Sequence, residues 1–365
     1  MIIKALELRN YRNYAQACIN FDPKTNILYG KNGQGKTNIL ESVYLCGVTK
    51  SHRGNKDKEL IKFDENESHI KCLIEKDKRE RRIDIHLKKG MTKGIAIDKI
   101  PIKKYSELFG LLNIVLFSPE DLSIIKNGPL FRRRFMDSEL CQSDGIYLYN
   151  LTMFRKALNQ RNSLLKTMTY EDTDKSMLDI WDEKVVEYGM NIIDSRKKFI
   201  NKINPVITDI HKEITGNNEI LDVTYEENVS ASDYPNMIKS NREKDIRFGQ
   251  THSGPHKDDL AFVINGVDMR KYGSQGQQRT CALALKLAEI EIIKEISGDE
   301  PVLLLDDVLS ELDSDRQKLL LKYIHDTQTI ITCTGMDDFI KNNFDIDKIY
   351  KIDNGNVYVE NVKGV

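Results

Sequence analysis

No stretch of this sequence approaches the twenty or so consecutive apolar residues that a membrane-spanning helix needs, so a membrane location would require a partner. Cysteine is sparse. The six, Cys18, Cys46, Cys72, Cys141, Cys281 and Cys333, include no C-x-x-C pair and no nearby histidine at zinc-finger spacing. That excludes a zinc ribbon and a disulfide scaffold and is expected of reduced thiols in a cytoplasmic protein. Net charge is missing too: 55 Lys and Arg against 56 Asp and Glu leave a balance of −1, so no global polycation argues for nucleic acid. There are no internal repeats and no low-complexity tracts. The chain is expected to enter its first strand, Ile2 to Leu8, without a leader segment.

What is present is a split nucleotide site. Gly30-Lys31-Asn32-Gly33-Gln34-Gly35-Lys36-Thr37 fits G-x-x-x-x-G-K-[ST], in which backbone N–H groups close around phosphate oxygens, the lysine reaches the β and γ phosphates and the threonine hydroxyl ligates Mg²⁺. An apolar strand, Thr25 to Tyr29, is predicted to enter this loop and a helix, Thr37 to Val48, to leave it, adding a helix N-terminus to the lysine charge. Near the other end, Pro301 to Leu305 reads as a buried parallel strand delivering Asp306 and Asp307 at its carboxyl end, where open α/β sheets place ligands. Asp306 would complete a Mg²⁺ sphere and Asp307 would lie nearer an attacking water; both would otherwise cap the next helix. Between these halves, Ser274-Gln275-Gly276-Gln277-Gln278 precedes a predicted helix, Arg279 to Ile296, and aims a hydroxyl and a helix N-terminus at an anion. The economical explanation is a dimer in which each such segment caps the nucleotide of the other subunit, although Ser274 would equally serve as a helix cap.

With Ser310-Glu311-Leu312-Asp313 in the position of a D-loop, the chain resembles ABC-type ATPase heads and, more narrowly, the RecF family of bacterial recombinational repair proteins. The stretches that carry this likeness run along the chain: Leu8-Arg9-Asn10-Tyr11-Arg12-Asn13-Tyr14, the P-loop, Lys50-Ser51-His52-Arg53, Phe117-Ser118-Pro119-Glu120-Asp121-Leu122, Arg132-Arg133-Arg134-Phe135-Met136-Asp137 and Gly254-Pro255-His256-Lys257-Asp258-Asp259-Leu260. The resemblance implies an SMC-like α/β head, a mixed-sheet P-loop ATPase without a long coiled coil. It implies ATP and Mg²⁺ as cofactors, dimerisation on ATP, slow DNA-stimulated hydrolysis, and association with duplex and gapped DNA. It further implies work with RecR and RecO to load RecA, in replication restart and SOS induction, in the cytoplasm at the nucleoid. It departs from transporter ATPases, which carry a switch histidine after the strand equivalent to Thr329 to Cys333; Thr334 or Asp337 would contact the γ phosphate instead. A transporter ATPase subunit and a non-hydrolysing nucleotide-gated scaffold are the rival readings.

The organisation expected is a head built from residues 1–118 and 246–365, with a mainly helical lobe, 119–245, inserted. Long amphipathic stretches, Ile146 to Met168 and Ser176 to Ile214, the second interrupted at Pro205, would form that lobe. Arg9 and Arg12 would reach the nucleotide by resemblance, or else be exposed strand arginines. Glu120 would approach the Mg²⁺ or supply helix N-terminal charge, and His52 and His256 would be structural or catalytic. Nucleic-acid contacts would go mainly to phosphates. Residues 50–104 hold 17 Lys and Arg against 10 Asp and Glu, much of it on predicted hairpin strands, so basic side chains would line one face of a sheet. The candidates there are Arg53, Lys56, Arg79, Arg81, Lys88 and Lys89, joined by Arg132 and Arg133 on a helix.

Overall fold

A computed structural model describes residues 1–170, 176–324, 327–335 and 344–360. The chain divides into two compact units, one formed by Met1–Asp121 with Lys286–Val365 and the other by Leu122–Leu285.

The first unit opens with β1 (Ile2–Tyr11), β2 (Tyr14–Asn20) and β3 (Thr25–Tyr29), then α1 (Lys36–Val48), β4 (Glu67–Lys76), β5 (Arg79–Lys88), β6 (Gly94–Ile97), β7 (Ile100–Pro101) and β8 (Ile114–Phe117). Six of these strands make an antiparallel sheet in the order β2-β1-β4-β5-β6-β7. Its period of two is plain: Ile70, Cys72 and Ile74 of β4 and Ile83, Ile85 and Leu87 of β5 are buried, while their neighbours face outward. The buried face packs on Ile39, Leu40 and Val43 of α1, and this core continues to Leu304 and Ile330.

The second unit contains α2 (Leu122–Lys126), α3 (Pro129–Ser143), α4 (Gly145–Met168), α5 (Met177–Ile214), β9 (Leu221–Glu226), α6 (Tyr234–Ser240), α7 (Arg242–Phe248), β10 (Asp259–Ile264), β11 (Val267–Asp268), α8 (Met269–Tyr272) and the start of α9 (Gln275–Ser297). Pro205 does not interrupt α5, which runs as one helix of 38 residues. Burial of Ile203, Ile207 and Ile210 offsets the backbone hydrogen bond that proline removes. The unit extends to Leu285 rather than ending near 245, because β10 pairs with β9 and β11 in a three-stranded antiparallel sheet. Buried arginines fasten it. Arg161 donates to Asp182 at 2.6 Å and to Asp245 and Thr251 at 2.7 Å each. Arg196 bonds Asp137 at 2.8 Å, Asp258 at 2.9 Å and the Pro255 carbonyl at 2.7 Å.

The chain then returns to the first unit through the rest of α9, β12 (Val302–Asp306), α10 (Ser314–Ile324), β13 (Thr329–Cys333), β14 (Ile346–Asp353) and β15 (Asn356–Glu360). A second six-stranded sheet has the order β15-β14-β3-β13-β12-β8, parallel except for the β14–β15 hairpin. Residues of β8, β12 and β13 are buried on both faces, as their continuous apolar runs require. The loop after β3 and the carboxylates after β12 therefore emerge at the same, carboxyl edge.

Candidate functional site

Residues Gly30 to Gly35 form the turn between β3 and α1, and register does the rest. Asp306 of β12 lies opposite Thr332 of β13, whose neighbour Cys333 lies opposite Tyr29 of β3. The Thr37 hydroxyl donates to Asp306 at 2.8 Å, and the Thr332 hydroxyl meets the same carboxylate oxygen at 2.8 Å. Burial pushes the Asp306 carboxyl above its ordinary range, against the two threonine hydrogen bonds. The Lys36 ammonium folds back into the loop, donating to the Gly30 carbonyl at 2.7 Å and the Lys31 carbonyl at 3.2 Å. Asp307 has a positive φ of 53° and donates its N–H to Thr332 at 2.9 Å, so its backbone turns sharply where the strand ends. Partial loss of hydration raises Glu120, which stays exposed by surface area, and the charges of Arg53, Asp306 and Glu41 act on it; Arg53 further donates to Asn38 at 3.4 Å. Glu120 and Arg53 thus share the electrostatic environment of Asp306. Asp121, next to Glu120, is half-buried, and loss of hydration pushes it up to about 6.

Arg12 is bonded to residues outside the phosphate turn. Its guanidinium is spent on Glu41 of α1, with two bonds of 2.8 Å, and on the Glu59 carbonyl at 3.0 Å. Glu41 also accepts from Ser51 at 2.5 Å and is held below its ordinary range: burial works against this, but the Arg12 and Ser51 hydrogen bonds outweigh it. The turn is held by residues to which the sequence had assigned no part in it. Asn13 donates to the Gln34 carbonyl at 2.8 Å and accepts from Asn38 at 2.8 Å, and Tyr14 donates to the Gly35 carbonyl at 3.0 Å. From the β14–β15 hairpin, the Asn354 N–H reaches the Gln34 side chain at 2.5 Å and the Gly355 N–H its carbonyl at 3.3 Å. Asn13 and Tyr14 belong to the family stretch Leu8 to Tyr14, and Asn354-Gly355 is a hairpin-turn dipeptide, but neither signal tied them to the phosphate turn.

Arg9 stands on the outward face of β1, opposite Gln16 and His69, and lines a cavity there. In the D-loop, the Ser310 hydroxyl donates to the Asp307 carbonyl at 2.8 Å, and Asp313 accepts from the Arg316 N–H at 3.0 Å. Ser274, Gln275, Gly276 and Gln277 belong to the second unit, where Ser274 and Gln277 form a reciprocal capping box with bonds of 3.1 and 3.2 Å, and Gln277 donates to Glu219 at 2.8 Å. Ser274, Gln275 and Gly276 are exposed at the start of α9. Thr334 follows β13, while Asp337 lies outside the described residues.

One of the nucleic-acid candidates is corrected. Arg132 is buried and clasps Asp259 with bonds of 2.5 and 2.9 Å, so its guanidinium closes the fold of its own unit; Arg133 is half-buried and donates to the Asp258 carbonyl at 2.6 Å. The basic sheet face is corrected too. Arg79 and Arg81 share the register of the buried Ile83, and Arg81 pairs with Asp98; the outward face mixes Lys71, Arg82 and Lys88 with Glu7, Glu67 and Asp84. Lys56 and Lys89 remain exposed, on loops.

The sequence matches the RecF/RecN/SMC N terminal domain family over residues 2–357. It is 56% identical over 363 residues to the DNA replication and repair protein RecF of Lachnospira eligens, covering 99% of this chain and 100% of that one. The chain belongs to the RecF family. The RecF of Agathobacter rectalis is 55% identical over 359 residues, covering 98% and 99%. Among solved structures, the recombination mediator protein RecF with ATP in the RecFOR pathway superposes with a TM-score of 0.92 at 37% identity, covering 98% of this chain and 97% of that one. An Smc head domain from Pyrococcus furiosus superposes at 0.55 and 18% identity, covering 98% and 95%, a likeness of fold alone. The RecF-family fold here is thus an SMC-type head, and among the described residues there is no long coiled coil and no helix long and apolar enough to cross a membrane.

Proposed function

We propose that this chain binds ATP with Mg²⁺ at the β3–α1 turn, dimerises around it, and acts on DNA in recombinational repair, together with RecR and RecO in the loading of RecA. The observation that carries this reading is the 2.8 Å hydrogen bond between Thr37 and Asp306, which joins the phosphate turn to a buried carboxylate 269 residues away. A hydroxyl and a carboxylate sharing one point, with Thr332 behind them, are the hard oxygen donors that Mg²⁺ takes. Bound there, Mg²⁺ would neutralise charge on the β and γ phosphates. The residues of the chain do the rest. Lys36 exchanges its two carbonyl partners for phosphate oxygens, the N-terminus of α1 faces the same anion, and Asp307 orients the attacking water. Ser274 and Gly276 of a second copy close over the γ phosphate, which makes dimerisation a readout of ATP. Relatives called RecF and a RecF–ATP structure support this assignment over a transporter subunit.

The test is the size and DNA affinity of the full chain with and without Mg²⁺ and ATP, on gapped, duplex and single-stranded oligonucleotides across a salt series. ATP-dependent dimers whose DNA affinity falls steeply with salt are expected. A nucleotide-bound monomer without DNA affinity would overturn the reading. Steady phosphate release that disappears in Asp307→Asn separates an ATPase from a scaffold that only senses nucleotide.

A further inference from the structure

On the outward face of the antiparallel sheet, the face that does not pack on α1, Glu67, His69 and His86 bring three ligand atoms within 4.8 Å of one another. We propose that these three side chains form a binding site for a late first-row divalent cation, zinc foremost. His69 and His86 are directly opposite each other in the β4–β5 ladder, and Glu67 lies two residues from His69 on the same face. Their imidazoles stack with centroids 4.2 Å apart and planes 6° from parallel, so both rings present the same edge. Both Nε2 atoms face the one carboxylate, His86 at 3.1 Å and His69 at 3.8 Å.

Zinc needs N and O donors about 2.0–2.2 Å from the metal, and three such donors leave a fourth position for water. The place is reachable: the side chains of Glu67, His69 and His86 keep 42–47% of their surface in solvent, and the two histidines line a cavity of about 800 Å³. Opposite His86 on β6 stands Gly94, which adds no side chain over the site. Of the cations on this face, Lys71 is paired with Glu7 and Arg82 with Asp84, while Arg9, exposed opposite His69, adds a positive charge beside the site that a bound metal ion must overcome. Lys88, opposite Glu67, opposes a metal ion, and at this exposure solvent and salt screen it. On binding, each imidazole acts as the neutral ring with its proton on Nδ1, and any proton on Nε2 is released to solvent.

The experiment titrates Zn²⁺ into the metal-stripped full chain against a chromophoric chelator, with excess Mg²⁺ to keep Zn²⁺ from the phosphate turn. One Zn²⁺ per chain with a Kd of about 1 μM or below is expected. His86→Gln and His69→Gln should each weaken it about 100-fold, the upper end of what losing even a ligand's hydrogen-bonding neighbour costs. Lys88→Gln should tighten it. Co²⁺ should give a nitrogen–oxygen ligand-field spectrum. No binding by the wild-type chain, equal affinity in the His69→Gln/His86→Gln double variant, or a thiolate charge-transfer band assigning the ion to the exposed Cys18 in the same cavity, would each overturn the proposal. Circular dichroism of the variants checks that the sheet is intact.

Discussion

Replacing Arg12 by alanine separates two roles for the Tyr11-Arg12-Asn13-Tyr14 turn. The Glu41 side chain is fully buried and Arg12 only 19% exposed, so the substitution strands a carboxylate inside the first unit. Removing one partner of a buried pair costs about 3–5 kcal/mol. Ser51 still donates to Glu41, which favours the lower end, about 3 kcal/mol. For a unit of this size that lowers the melting temperature by roughly 6–12 °C. The assay is thermal or urea unfolding of the nucleotide-free chain, beside ATP affinity measured well below the transition. Arg12→Ala should lose stability first and ATP affinity only secondarily. Arg12→Met combined with Glu41→Gln should recover most of the loss, because no buried charge is then unpaired. Full stability with lost ATP affinity would show that Arg12 serves the nucleotide directly and refute the argument.

Gly30→Ala would place a Cβ 2.3 Å from the Ile352 carbonyl oxygen on the adjacent strand, a backbone atom that cannot swing aside, so it should cost about 1–3 kcal/mol and weaken ATP binding, as read by denaturation and a nucleotide titration. His256 is lowered to about 4 by burial and keeps its ring neutral against the Thr251 carbonyl at 3.0 Å. The unfolded chain takes up that proton near pH 6.5, so stability should be complete above about pH 6.5 and fall toward pH 4; His256→Gln should flatten that slope in urea titrations at stepped pH. Ser274→Ala loses one side of the capping box and should destabilise the second unit by about 1 kcal/mol. Ser274→Arg should in addition abolish ATP-dependent dimers in sedimentation, whereas normal dimerisation of that variant would count against closure by a second copy.

What was legible in the sequence was local. The strand before the phosphate turn, the helix after it and the run ending at Asp306 each declare themselves within a dozen residues, and the structure has β3, α1 and β12 there within a residue or so. The repair-family motifs were legible as names but not as roles. Three consecutive arginines look like a surface patch, yet Arg132 finds its carboxylate at Asp259, 127 residues on. The end of the second unit was hidden because α9 runs unbroken from Gln275 to Ser297 and the boundary at Leu285 falls inside it, with no glycine or proline to mark the change. Glu67, His69 and His86 went unread for a different reason. His69 and His86 are equidistant from the Asp77-Lys78 turn, where both residues have positive φ, and only the register makes them neighbours. The folding of that hairpin about its turn was the available signal.

The position of β3 also has a consequence for how the chain is made. This strand lies between β13 and β14, so neither edge of it can pair until residues beyond 329 and 346 exist. At about 5–20 residues per second, the ribosome leaves that apolar strand without its two partner strands for roughly 15–60 s. The antiparallel sheet, whose strands follow one another closely, can form meanwhile. A nascent chain stalled before Ile346 would therefore carry a folded sheet beside an unfinished nucleotide site. Such a chain would offer an unpaired edge to chaperones, or to its own copies, before it could bind ATP.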